Sequence, residues 1–282
     1  MPLTKKGEKM LVRAKRFFLN FFIKIIPARY RRTLIIELCE KDNSLDIDVQ
    51  RYELLDYSKH TIYMYKGVRS TSCKKEPETV SWIENYIKAG ETLFDIGANV
   101  GAYSLIAAKY HKGTVKVYAF EPTFHTFPIL VKNILKNNCE KIIFPLIIPL
   151  DKVSKLAKFN YKSLREGTSL HVFDGQIYYK GNICQPEFEQ FMVSMSIDKL
   201  IREYQLPKPN HIKLDVDGTE FEILCGSENT LSDNCFKTLL VECEENQHKL
   251  SELTLFLEKC GLLLSKECQH EERVNNYIFT KA

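Results

Sequence analysis

Five acidic residues stand at or near the ends of apolar runs in this 282-residue chain: Asp95 in TLFDIG, Glu121 in KVYAFE, Asp215 and Asp217 in HIKLDVDG, and Glu242 in TLLVECEE. Carboxylates there, at the carboxyl ends of strands, would face the crevice in which open α/β sheets hold ligands. Asp95 begins an Asp-x-Gly-x-x-x-Gly turn that runs into the helix-forming AYSLIAAKY. Gly97 allows a backbone geometry that a side chain would obstruct, Gly101 permits close approach of a ligand, and the new helix presents free N–H groups. The dinucleotide fingerprint has a glycine where Asp95 stands. A carboxylate at that point repels a pyrophosphate and suits a cationic ligand. S-adenosylmethionine, with an amino group and a sulfonium, has that character; an ordinary glycine turn of an α/β protein is the plain alternative. Glu121 follows Gly101 by 20 residues, the offset at which a β-α-β unit delivers a carboxylate to ribose hydroxyls. Asp215, Asp217 and Glu220 could alternatively hold a hard cation through oxygen. No histidine or further strand acid completes a cage, so no metal is expected.

The elements that must position these acids follow from periodicity. ETVSWIENYIKAG reads as an amphipathic helix leading into the first strand, with Trp82 a packing residue. Pro122 fits the first turn of a second helix continuing through PILVKNILKN, and KIIFPLIIPL reads as a third strand. Residues 151 to 195 leave the alternating scheme for strands and turns, including an Asp174-Gly175 turn signal; such an inserted hairpin at the rim suits acceptor selectivity. SIDKLIREYQL resumes helix with Ser196 as N-cap. Two apolar runs, GLLLSK and NNYIFTK, close the sheet; Asn275 and Asn276 read either as a polar functional position or as a hairpin turn. His125 and His248 read as solvated loop residues or candidate bases.

Composition narrows the function classes. Hydrophobic residues make up 44% of the chain, ample for a core. Nine cysteines without a Cys-x-x-Cys pair read as reduced thiols in a cytoplasmic protein. The net charge of +4 divides unevenly: residues 1–32 hold ten basic residues and one acid, leaving 30 basic and 35 acidic residues, a net of −5, in the remainder. An acidic remainder argues against a nucleic-acid partner. The basic segment 1–32 carries a ten-residue apolar core from Phe17 to Ile26, too short to span a bilayer. It suits either peripheral contact with anionic lipid at the inner face of a membrane or packing on the domain or a second subunit, which leaves oligomers open. Residues 33–75 read as a small β-rich preamble, and residues 76–282 as the catalytic domain.

Taken in order, FDIGANVGAYS, YAFEPTFHTFPILVKNI, HIKLDVDGTEFEILCG, LLVECEE and NNYIF resemble the FkbM family of S-adenosylmethionine-dependent methyltransferases, from Glu76 to Phe279. The resemblance implies an α/β Rossmann-like class I methyltransferase fold, a mostly parallel seven-stranded sheet with helices on both faces. It also implies methyl transfer to a hydroxyl of a glycan, sugar or other small molecule. The donor positions it implies are Asp95, Gly97, Ala98, Asn99, Gly101, Ser104, Glu121, Pro122 and Asp215. The chain departs from the family pattern at Asp217, where a glutamate is usual, and at Thr123-Phe124-His125, where the second helix usually starts Pro-rich. A hydroxyl acceptor benefits from a general base, for which Asp217, Asp215 and Glu242 are the candidates. Two other readings compete: a non-catalytic, membrane-attached module retaining the donor fold, and a nicotinamide-dependent oxidoreductase. The second is opposed by Asp95 and by Pro207 inside the Tyr204-to-Lys208 segment.

Overall fold

The computed structural model describes residues 52–65, 69–179, 182–244, 247–268 and 274–282. The basic segment 1–32 and residues 33–51 of the preamble lie outside the described residues, as does the side chain of His248. The described chain opens with β1 (Tyr52–Leu54) and β2 (Tyr63–Tyr65), which form a two-stranded sheet, and helices α1 (Ser72–Lys75) and α2 (Pro77–Tyr86). Then β3 (Thr92–Ile96), α3 (Ala102–Tyr110), β4 (Lys116–Phe120), α4 (Phe127–Lys136) and β5 (Ile143–Leu146) alternate. An antiparallel insert follows: β6 (Leu156–Tyr161), β7 (Val172–Phe173), β8 (Ile177–Tyr179), β9 (Asn182–Cys184) and β10 (Phe188–Val193). The alternation resumes with α5 (Ile197–Tyr204), β11 (His211–Leu214), α6 (Glu220–Cys225), α7 (Glu228–Ser232), β12 (Thr238–Glu244), α8 (Gln247–Lys259), β13 (Leu262–Cys268) and β14 (Val274–Lys281).

The central sheet has seven strands in the order β13-β14-β12-β11-β3-β4-β5. The run from β12 to β5 is parallel, and β14 enters antiparallel to both β12 and β13. This is the Rossmann-like α/β fold that the repeating strand-turn-helix pattern implies. Strand β3 connects to β4 on one side and lies against β11 on the other, so the order reverses between β3 and β11. Open sheets bind ligands at that reversal, outside the carboxyl ends of the strands.

Parallel strands buried on both faces must be apolar or have their polar groups paired. All four residues of β11 are buried, Lys213 included. Alternation divides the apolar side chains between two cores. Leu93, Leu105, Val117 and Leu130 pack in one with Leu55, Ile62 and Met64 from the amino-terminal pieces. Phe94, Phe120, Leu214, Val241 and Phe279 pack in the other. Asp95, Lys213 and Leu240 are mutual sheet partners on the first face, so Asp215 and Glu242, two residues further along β11 and β12, belong to it as well.

Several local expectations change. Pro122 does not start the second helix: α4 begins at Phe127, with Pro128 in its first turn, because Thr123 is held back by the Glu121 carboxylate. Asp174-Gly175 does not close a hairpin, since β7 pairs with β6 and β8 with β9. Asn275 and Asn276 are buried inside β14 instead of lying in a turn, and Asn276 donates to Glu78 Oε1 at 2.8 Å. The β1-β2 pair lies against α4, where Tyr63 N–H and Tyr65 N–H donate to the side chains of Asn137 and Asn133. Trp82 is a packing residue, donating to Thr238 Oγ1 at 3.1 Å. Ser196 caps α5, accepting from Lys199 N–H.

Candidate functional site

The turn after β3 is fixed by backbone packing. Gly97 and Ala98 N–H both donate to Phe120 O, tying the turn to β4. Gly97 has φ +77°, and a Cβ there would stand 1.8 Å from Asp215 O. Its missing side chain therefore lets the ends of β3 and β11 close on each other at the sheet reversal. At Gly101, with φ +86°, the close approach is made by Leu130 Cδ1, 2.5 Å from a built Cβ, and not by space left for a ligand. Asn99 takes φ +50°, which an asparagine tolerates.

Asp95 is buried in β3, just before this turn. One of its oxygens, Oδ2, accepts from the fully buried Ser104 hydroxyl, and the other, Oδ1, is buried without a hydrogen-bond partner among the described residues. Ser104 therefore orients Asp95 and does not itself reach the crevice. Lys213 Nζ donates to Asp215 Oδ2 at 2.7 Å and lies 5.1 Å over the Tyr103 ring. Burial disfavours its charge, but Asp215, Asp95 and Glu76 overcome this and hold its pKa above the ordinary lysine value. Asp215 feels the reverse balance: burial opposes its ionisation, while Lys213 and a hydrogen bond from Glu242 hold it well below the usual carboxylate range. Burial and the neighbouring Asp215 push Glu242 up, so this pair holds one proton, on Glu242.

Glu121 is buried beside the turn. It accepts from Asn99 N–H at 2.9 Å through Oε2, and from the Thr123 N–H and hydroxyl through Oε1. Burial raises its pKa, and these bonds work against that rise. Asp217 lies beyond the end of β11 and accepts from Leu170 N–H and His171 N–H through the same oxygen, Oδ2. Burial, reinforced by Asp215, pushes its carboxyl up to about 6. Glu220 is pushed up by burial to about 8. His171 is neutral, lowered by burial to about 4; its Nδ1 accepts from Lys162 N–H and its Nε2 faces Thr168 Oγ1.

These groups line two adjoining spaces. A narrow crevice of about 80 Å³ runs from Glu121 and Pro122 past Gly97 and Asn99 to Asp215, with Phe120, Ile148 and Leu150 as apolar wall. A wider chamber of about 590 Å³ is lined by Asp217, Glu220, Glu222 and Glu242, and by Lys155, Tyr178 and others of the insert. Leu150, Phe173, Val216, Asp217 and Thr219 belong to both. Among the described residues the only cation of the chamber wall, Lys155, is paired with Asp151 at 2.6 Å and Asp174 at 2.7 Å. The loop 165–171 roofs the crevice: Asn99 Nδ2 donates to Thr168 O at 3.2 Å, Arg69 Nε to Gly167 O at 3.1 Å, and Gly167 N–H to Thr126 Oγ1 at 3.1 Å.

The structure thus brings Asp95, Gly97, Ala98, Asn99, Ser104, Glu121, Pro122, Asp215, Asp217 and Glu242 to one end of the sheet. Sequence reading missed Arg69, Thr168 and His171, which come from segments without a recognisable motif, and Thr123 and Thr126, which lie inside YAFEPTFHTFPILVKNI without an assigned role. Glu220, read from sequence only as a candidate cation-binding acid, is part of the chamber wall. Among the described residues there is no group of three or more histidine, cysteine or acidic side chains placed to hold a metal ion. No described helix is long and apolar enough to cross a membrane.

A curated relative, the hexuronic acid methyltransferase AglP of Haloferax volcanii, is 26% identical over 164 residues, covering 58% of this chain and 61% of AglP. The chain thus spans less than two thirds of that relative's length. Among solved structures, the methyltransferase FkbM of Methylobacillus flagellatus KT aligns with a TM-score of 0.48 at 16% identity, over 68% of this chain and 43% of that one. The precorrin-6y C5,15-methyltransferase of Geobacter metallireducens GS-15 aligns with a TM-score of 0.48 at 12% identity, over 82% of this chain and 100% of that one. The strand order, and not these remote likenesses, carries the fold assignment. The profile of the Methyltransferase FkbM domain matches residues 95–264, from the acid of the first strand's turn to β13 and across more than half of the sequence, and the chain therefore belongs to the FkbM methyltransferase family.

Proposed function

We propose that the protein is an S-adenosylmethionine-dependent O-methyltransferase acting on a hydroxyl of a sugar, glycan or similar small molecule. The observation that carries this reading is the pair of adjoining spaces at the sheet reversal, a narrow crevice between Glu121 and Asp215 and a wider chamber beside it, with the Asp217 carboxyl lining both. A sugar acceptor is supported by the AglP relative, whose name specifies a hexuronic acid.

The residues fit the donor. Glu121 stands at the end of the second strand for the ribose hydroxyls, with Phe120, Pro122 and Ile148 as apolar wall for the base. At the opposite end Asp215, held ionised by Lys213, supplies the negative character that a sulfonium and an amino group require. The loop 165–171 bonded across the crevice must lift to admit a nucleoside, since ligand pockets are usually ~300–1,000 Å³ and the crevice encloses about 80 Å³. When bound, the donor supplies an electrophilic methyl group. The protein's part is to align the acceptor oxygen behind that carbon, exclude water, and remove the hydroxyl proton. Asp215, Asp217 and Glu242 are the candidates for the last task. Peripheral membrane contact through residues 1–32 is a further part of the proposal, resting on their basic and aromatic sequence alone.

Calorimetric titration with S-adenosylhomocysteine, with NADH as control, tests the reading. Micromolar binding of the first and none of the second is the expected result. Binding of NADH instead, or of neither, overturns it.

A further inference from the structure

Asp215 lines the donor crevice, Glu242 lines the adjoining acceptor chamber, and the two share one hydrogen bond. They come together because Leu214 of β11 and Val241 of β12 are sheet partners, so the next residue of each strand emerges at the same level. We propose that Glu242 is the proton acceptor of methyl transfer and that donor binding beside Asp215 arms it, by expelling to solvent the proton the pair holds. This rests on the methyltransferase reading and deepens it by assigning the base.

The surroundings decide the direction. From β11 come Lys213 and, just beyond the strand, Asp217; from β3 comes Asp95; from the segment before α2 comes Glu76; from α3 comes Tyr103; from α6 comes Glu220; and Arg69 approaches from the amino-terminal side. On β14 the sheet partner of Glu242 is the uncharged Asn276. Four carboxyls, Glu76, Asp95, Asp215 and Glu242, therefore act on Lys213, the one buried ammonium among the described residues. In that company Glu242 keeps its proton. A second cation placed against Asp215 lets Glu242 ionise.

The chemistry then balances. In the donor complex Glu242 is a carboxylate facing the chamber. The acceptor oxygen forms a bond to the methyl carbon as the carbon–sulfur bond breaks, its electron pair staying on sulfur, and the hydroxyl proton passes to Glu242. The site ends with a neutral thioether, Glu242 protonated and Asp215 ionised, the same protonation state as before donor binding. Asp217 is less suited to be the base, because the oxygen that pins the 165–171 loop accepts two backbone N–H groups.

The test compares S-adenosylmethionine with S-adenosylhomocysteine, which differ at the sulfonium and share the same amino-acid end. Calorimetry of each in buffers of different ionisation enthalpy counts protons. The first ligand is expected to release about one proton more than the second near neutral pH, and its affinity alone should rise by up to tenfold per pH unit there. In Glu242→Gln, which retains a donor toward Asp215, both ligands should still bind and the extra proton should vanish. Equal proton release by the two ligands in the unaltered protein overturns the proposal without any variant, as does an extra proton that survives in Glu242→Gln. Failure of both ligands to bind instead rejects the methyltransferase reading beneath it.

Discussion

Replacing Asp217 with Asn separates the two things this residue does. Its carboxyl is pushed from the ordinary 3.8 to about 6 by burial and by Asp215. Between those values the folded protein binds a proton that the unfolded chain has lost, so the wild-type protein loses stability as pH rises through the window. At ~1.4 kcal/mol per pKa unit, the accumulated cost above pH 6 is ~3 kcal/mol. Asparagine has no such titration, and its Oδ1 can still accept from Leu170 and His171 N–H. Urea unfolding of both proteins should therefore give similar stabilities near pH 4, a gap that opens in favour of Asp217→Asn between pH 4 and 6, and a plateau of up to ~3 kcal/mol above that. A gap that does not change with pH refutes the reasoning. Methyl transfer by the variant should stay within about tenfold of wild type, because Glu242 takes the proton; a loss of ~10²–10⁴-fold would place the base at Asp217.

Other consequences follow from single contacts. Gly97→Ala puts a Cβ 1.8 Å from Asp215 O at φ +77°, whereas Gly90, at φ +86°, has nothing within 4 Å of a built Cβ. The first change should cost ~2–5 kcal/mol in urea unfolding and Gly90→Ala only ~1–2, since strain is common to both and the collision is not; equal losses would show that the Asp215 contact is immaterial. Glu121→Ala should weaken S-adenosylhomocysteine binding by roughly 10–100-fold in calorimetry, the worth of hydrogen bonds to a carboxylate. Unchanged affinity would remove Glu121 from the donor site. Asn99→Ala removes the bond to Thr168 O, so amide exchange in residues 165–171 should accelerate while that of β3 and β4 stays unchanged. Slow exchange in that loop would mean that the remaining tethers suffice.

Much of this arrangement could be read along the chain. The period of the apolar runs fixes strand or helix locally, and all seven strands of the central sheet coincide with runs identified by that pattern. Glu121 could be placed beside the Asp95 turn because a β-α-β unit has a narrow range of lengths. The limits appear where distant segments decide. Pro122 carries a helix-start signal, but the Glu121 bonds to Thr123 delay the helix to Phe127. Asn275 and Asn276 look like turn residues until β14 is seen to be buried between β12 and β13. Arg69 and His171 carry no motif, and they matter only because the 165–171 loop folds over the crevice; Thr126 lies inside a motif, but its bond to Gly167 N–H exists only in the fold.

The sequence by itself determined the order of strands and helices, the acid-bearing strand ends and the family, since each depends on residues close together in the chain. Which carboxyl holds a proton was decided only by the tertiary structure. Asp215 and Glu242 are 27 residues apart, and Lys213 is distinguished from the other lysines by its burial between Asp95 and Asp215. Local sequence reports chemical type; the protonation of each group depends on how far water is excluded and which charges the fold sets beside it.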